Sequence, residues 1–137
     1  MATSALLVTA IKCPAARLQN SDGTNFVQLM AAGALGSKIE TISCTTDDTS
    51  NVILQFCVTV AAVDYILGEV TVPLGSGTNG TAKAVNILNA TDLPWVRNDG
   101  INNYMYLENG ETLKVKAKTA VTAGKFVYFH VQGGDIG

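Results

Sequence analysis

Charge is scarce in this sequence. Only 15% of its 137 residues are Asp, Glu, Lys or Arg, against roughly 25% in an average soluble domain. The nine basic residues are scattered and the formal net charge is −2. No cluster is placed to neutralise the several phosphates that DNA or RNA binding requires, which argues against nucleic acid as a direct partner. Histidine occurs once, at His130, so a Ser or Cys nucleophile has one candidate base and a transition metal has too few good ligands. The three cysteines, Cys13, Cys44 and Cys57, are odd in number and lack CxxC spacing. That excludes a disulfide framework or a zinc site and makes buried or half-buried thiols the default. A disulfide to another subunit stays open for an assembly that ends outside the cell.

Long apolar runs are missing too. None approaches the roughly 20 residues of a membrane helix, so no membrane partner is expected. The start, Met1 to Val8, has neither the basic n-region nor the longer apolar core of a signal peptide. Synthesis in a cytoplasm without export by the ordinary route is the expectation, and the glycosylation-like Asn79-Gly80-Thr81 and Asn89-Ala90-Thr91 carry no weight.

What is present points to sheet. The chain fits one domain, and a domain of this size buries roughly two-thirds of its unfolded surface. The composition is 47% hydrophobic and rich in Thr, Gly, Asn and Val. Scarce charge also suits a surface partly covered by neighbouring subunits. Residues 1–24 are expected to form an N-terminal arm and loop, and 25–137 a β-sandwich domain. The arm is apolar and β-prone up to Lys12, its first charge, and Asn20-Ser21-Asp22-Gly23 is a strong turn signal.

A short strand is expected within 25–34. Residues 37–46 and 51–60 form two β-rich runs around Asp47-Asp48-Thr49-Ser50, which reads as a hairpin loop. Val52, Leu54, Phe56, Val58 and Val60 alternate with period two, a sheet signature. In that hairpin register Cys44 and Cys57 lie roughly 13 Å apart along the ladder, beyond the about 7 Å between Cα atoms that a disulfide allows. A second hairpin runs through Ala61-Ala62-Val63-Asp64 to Val72. Residues 82–93 hold the one expected helix, ending before Pro94. Strands follow at 104–107, 112–118 and 126–131, with Leu113, Val115 and Ala117 inward and Lys114, Lys116 and Lys118 outward. The tail from Gly133 to Gly137 reads as a loose end. The fold class is therefore mainly β, an antiparallel, jelly-roll-like β-sandwich with one short helix.

Three motifs invite chemistry and each has a plainer reading. Gly75-Ser76-Gly77-Thr78-Asn79-Gly80 is a literal GxGxxG. That motif works by bringing pyrophosphate to a helix N-terminus inside a βαβ unit. Here the preceding strand arrives by a hairpin and an antiparallel meander follows, so a flexible surface loop is expected. Asp47-Asp48 lacks the spaced calcium-loop pattern, and Asp is a common turn residue. Trp95, Tyr104 and Tyr106 suit an aromatic platform for sugars or bases, or anchors in a core or interface. With no catalytic residues, cofactor or metal site to nominate, the chain reads as a structural or binding module and not an enzyme.

The order of elements resembles that of small virion proteins of tailed bacteriophages, the head decoration (cement) proteins and related capsid spikes. The segments that carry the likeness are NFVQLMAAG at 25–33, GSKIETI at 36–42, TTDDTS at 45–50, DYILGEVTVP at 64–73, LENGETLKV at 107–115 and AVTAGK at 120–125. Together they span roughly residues 25–132. The resemblance implies a β-sandwich or jelly roll, a homotrimer or other small homo-oligomer, and attachment to the major capsid protein on the capsid exterior. The alternatives are a tail, head-fibre or receptor-binding module with affinity for a glycan, or a stand-alone β-sandwich binding domain. The expected capsid or subunit interface is the arm at Leu6, Leu7, Val8 and Ile11, together with the loop at Trp95 and Arg97. The arm suits either a strand added to a neighbour by β-augmentation or the first strand of this domain's own sheet.

Overall fold

The computed structural model describes residues 8–137. The strands are β1 (Ala10–Lys12), β2 (Ala15–Gln19), β3 (Val27–Ala31), β4 (Ser37–Thr46), β5 (Val52–Val60), β6 (Val63–Val72), β7 (Val85–Asn86), β8 (Arg97–Asn98), β9 (Asn103–Leu107), β10 (Glu111–Ala117) and β11 (Phe126–Asp135). They form two antiparallel sheets. One runs β1-β11-β4-β9-β8, with β2 also on β11 and β7 also on β4, and the other runs β3-β10-β5-β6. Taken in sequence, β2, β4, β9 and β11 belong to the first sheet and β3, β5, β6 and β10 to the second. This interleaving makes an antiparallel β-sandwich of jelly-roll type.

Period-two alternation places the core. Leu54, Phe56 and Val58 of β5 face inward beside Leu113, Val115 and Ala117 of β10. Ile39, Ile42 and Cys44 of β4 and Val127, Phe129 and Val131 of β11 close the core from the other sheet. Each of the Leu, Val, Ile and Phe side chains among them contributes about 1.5–3 kcal/mol by leaving water.

Four sequence expectations are corrected. The β4 and β5 runs are strands, but not a hairpin. β4 pairs with β11, β9 and β7, while β5 pairs with β10 and β6. Alternation shows which side chains face the core and leaves the pairing partner open, and here the connecting residues cross between sheets. Cys44 consequently lies opposite Phe129 and Val85, and Cys57 opposite Lys114 and Ile66. All three cysteines are free.

The helix expected over 82–93 is absent. Val85 and Asn86 pair with β4, and turns follow. Asparagine side chains take over the backbone there: Asn79 Oδ1 accepts from the Thr81 and Ala82 N–H groups, Asn86 Oδ1 from Leu88 and Asn89 Oδ1 from Asp92. Such local bonds offer the chain an alternative to helix. Ile87, Leu88 and Leu93 are fully buried by these turns. The only helical element among the described residues is one 3-10 turn, Asn20–Asp22.

The stretch expected as an arm and loop over 1–24 contains β1 and β2, both hydrogen-bonded to β11, with Leu18 in the core. The tail is not loose either. Gly133 and Gly134 sit inside β11 against the backbones of Lys38 and Ala10, so close that a Cβ at either position would collide with them.

Candidate functional site

Five short connections distinguish two ends of the sandwich. At one, β4 passes to β5 and β10 passes to β11. At the other lie the β3–β4, β5–β6 and β9–β10 turns, the start of β1 and the finish of β11.

The expected interface residues divide between opposite edges of one sheet. Leu6 and Leu7 lie outside the described residues. Val8 is half-buried, and Ile11, on edge strand β1, is 87% exposed. The β1 edge is held by polar bonds. Asp135 Oδ1 accepts from the Ser37 hydroxyl at 2.7 Å, Ser37 Oγ accepts from the Gly33 N–H, and Lys12 Nζ reaches both the Ala31 carbonyl at 2.7 Å and Asp135 at 3.5 Å. The Ser37 hydroxyl, with Lys12 beside it, holds the Asp135 carboxyl below its usual range.

Trp95 and Arg97 lie at the other edge, where the structure brings them together. A groove of about 340 Å³ opens between the sheets there, lined by Val58, Val60, Tyr65, Leu67, Trp95, Arg97, Met105, Tyr106 and Glu111. Trp95 packs on the core from a half-buried position. Its Nε1 is buried and donates to nothing among the described residues, which costs about 1–3 kcal/mol for an orphaned donor. Arg97 is exposed at the rim. Tyr106 meets Tyr104 edge-on, with ring centroids 5.1 Å apart.

One wall of the groove is β6, which has a single neighbour in its sheet. Val63, Tyr65 and Ile66 of this strand are each more than half exposed. A long apolar edge strand is a template for another chain. On the opposite wall, β8 covers only Asn103 and Tyr104 of β9. The sequence signal for β6 was present in Tyr65-Ile66-Leu67, yet nothing in the sequence marked that strand as an edge.

A second hollow, of about 300 Å³, lies on the outer face of the first sheet among Lys38, Glu40, Asn86, Asp99, Asn102 and Tyr104. Lys38 is nearly buried, with Nζ 3.5 Å from Glu40 and 4.9 Å above the Tyr104 ring. Backbone N–H groups of Asn102 and Ile101 hold the Asp99 carboxyl below its usual range.

The remaining motif residues are occupied by the fold. Asp48 is buried and accepts from the Thr122 N–H at 3.0 Å, the Thr122 hydroxyl at 2.7 Å and the Ser50 N–H at 3.0 Å. Burial works to raise its pKa, but the bonds from Thr122, Ser50 and Thr49 outweigh it and hold the carboxyl below its ordinary value. Asp47 accepts from the Phe126 N–H. No group of three or more His, Cys, Asp or Glu among the described residues could hold a metal. The glycine-rich loop is pinned: Gly77 N–H donates to Ala82, the Thr78 hydroxyl donates to Thr46, and Ser76 is fully buried. His130 is exposed on the outer face of β11, opposite Ser43 and Ala15. Burial pushes the Cys44 thiol up to about 12 and raises that of Cys57, leaving Cys13 as the exposed thiol.

No protein-family model and no curated protein matches the chain. Among solved structures it is similar to Drosophila NLP-core, described as bearing on pentamer formation and histone binding. The likeness has a TM-score of 0.46 and 14% identity over 93% of this chain and 97% of that one. Similarity at this level carries no argument about function.

Proposed function

We propose that the chain is a structural virion protein, a decoration protein that binds the major capsid protein on the outside of an assembled tailed-phage capsid. In this reading it is made in the host cytoplasm, acts as a small homo-oligomer such as a trimer, and performs no catalysis. The observation that carries the proposal is the exposed apolar edge strand β6. Val63, Tyr65 and Ile66 on that strand are each more than half exposed. A lone soluble domain gains nothing from this arrangement, whereas a subunit seated among neighbours buries it. The jelly roll supplies the rigid frame, and the resemblance in segment order names the kind of assembly.

The test is co-sedimentation with capsids stripped of decoration, taken from the phage whose genome encodes the chain. The full chain is expected to pellet with mature capsids. A Tyr65→Glu, Ile66→Glu variant with unchanged circular dichroism is expected to stay in the supernatant. A full chain that does not bind capsid overturns the reading.

A receptor-binding virion module is the second reading, and the polar hollow favours it. Carboxylates and amides beside Tyr104 are groups that hydrogen-bond sugar hydroxyls. Glycan-array binding that Asn102→Ala abolishes, with no binding to capsid, would move the assignment there.

A further inference from the structure

We infer that the polar hollow on the outer face of the first sheet is a subsite for a single neutral sugar residue, held through its hydroxyl groups. The inference rests on the receptor-binding reading above and names the ligand class of that site. It does not depend on capsid attachment, because the hollow is built on β4, β9 and the β8–β9 turn, whereas the exposed strand β6 belongs to the other sheet.

Lys38 carries the argument. Its side chain is only 8% exposed, and it lines the hollow. An ammonium has three donors, and burying a charge without hydrogen bonds is costly. Here Nζ has Glu40 at 3.5 Å and the Tyr104 ring at 4.9 Å, but makes no hydrogen bond among the described residues. Lys12, by contrast, donates to the Ala31 carbonyl at 2.7 Å. The Lys38 donors are left for whatever enters the hollow.

The rest of the lining divides into a fixed frame and free groups. The Asn103 amide is used up: Nδ2 donates to the Leu88 carbonyl at 2.7 Å, and Oδ1 accepts from Asn98 at 2.9 Å. Asn86 Oδ1 accepts from the Leu88 N–H, and Asp99 Oδ1 from the N–H groups of Ile101 and Asn102. That leaves the second Asp99 oxygen, Asn86 Nδ2 and the Asn102 amide for a ligand.

The mixture of donors and acceptors selects the ligand. Lys38 only donates, whereas the carboxylates of Glu40 and Asp99 only accept. A ligand that meets both needs groups that donate and accept at once, which is what a hydroxyl does. A carboxylate or phosphate suits Lys38 but is repelled by two like charges, and an ammonium suits the carboxylates but is repelled by Lys38. With one cation and two anions in the lining, an acidic sugar is turned away first. The hollow of about 300 Å³ lies at the low end of small-molecule sites, which run to roughly 1,000 Å³, so it suits one ring and not a long chain. The Lys38 ammonium already covers one face of Tyr104, and Tyr106 meets that ring edge-on. Selection therefore rests on hydroxyl positions more than on stacking.

Saturation-transfer NMR on the full chain would compare glucose, galactose and mannose with their uronic acids, each of which carries a carboxylate in place of the primary alcohol. At least one neutral hexose is expected to bind, with its uronic acid weaker by about tenfold or more. Lys38→Met keeps the buried stem without the donors and should abolish the signal with unchanged circular dichroism. Asp99→Asn, at an exposed position, keeps the turn's acceptor and puts a donor in place of the second oxygen. It should weaken binding by about tenfold, the worth of one charge-assisted hydrogen bond, and it decides the matter if Lys38→Met fails to fold.

No transfer to any hexose, a uronic acid that binds as well as its hexose, or binding unchanged in the folded variants overturns the inference. Glycan-array binding alongside any of these results leaves the receptor-binding reading standing, and an array with no binding defeats both.

Discussion

The β4–β5 crossing and the Trp95 edge treat their polar groups in opposite ways. Where β4 crosses to β5, the side chains of Asp47, Asp48, Thr46 and Thr78 bond to Phe126, Thr122 and neighbouring backbone, and the buried Ser76 hydroxyl donates to Pro73. At the Trp95 edge, a two-residue turn places Ala61 and Ala62 at φ 50° and 65°, apolar residues of β6 face solvent, and the Trp95 N–H has no acceptor among the described residues. The crossing satisfies these polar groups within one chain. The second carries local costs that nothing among the described residues relieves.

The largest expected effect tests the crossing. Asp48→Ala removes a buried carboxylate and leaves the Thr122 and Ser50 donors unmatched, so it should cost about 3 kcal/mol, or roughly 10 °C in Tm for a domain of this size. The pH dependence has a definite sign. The folded pKa of Asp48 is lowered from an ordinary value of 3.8, so its contribution is complete above that value and fades as pH falls through the folded pKa. Thermal melts of the two proteins should differ most at neutral pH and converge in strong acid. Equal melting at pH 7 would mean the crossing is not held by Asp48.

A smaller effect of opposite sign is expected at the Trp95 edge. Left-handed φ costs an alanine about 1–2 kcal/mol, and a two-residue turn with both residues at positive φ favours Asn-Gly. Replacing Ala61 and Ala62 by Asn and Gly should therefore stabilise the isolated chain by about 1–2 kcal/mol in denaturant unfolding. No gain would show that the turn carries no strain and would weaken the contrast between the two regions.

How much of this was legible in the sequence follows from what each signal reports. Alternation in β5 and β10 identified Leu54, Phe56, Val58, Leu113 and Val115 as inward, because side-chain period is local. Pairing is not local. The Asp47–Ser50 turn signal fits a hairpin loop and an inter-sheet crossing equally well, and only the long-range bonds of Asp48 to Thr122 select the second. The helix over 82–93 failed because the apolar spacing of Val85 and Leu88 suits helix or turn, while the asparagines at 79, 86 and 89 bond the backbone in turn geometry. The glycines at 133 and 134 read as a loose tail because glycine marks both flexible chain and close approach. At the candidate site, Trp95 and Arg97 stood out by residue type. Tyr65 and Leu67 did not, because an apolar strand run looks the same at an edge and in the middle of a sheet.

The smallest expected change is the sharpest comparison. Trp95→Phe removes the orphaned N–H and part of the ring. Loss of apolar contact destabilises, while relief of an unpaired buried donor, itself about 1–3 kcal/mol, acts in the other direction. The isolated chain should consequently lose less than about 1 kcal/mol, far below the about 3–5 kcal/mol of a buried aromatic truncated in a core. Denaturant unfolding of the chain with and without Trp95→Phe gives this quantity. A loss of about 3 kcal/mol or more would make Trp95 an ordinary core anchor and remove the contrast with the β4–β5 crossing.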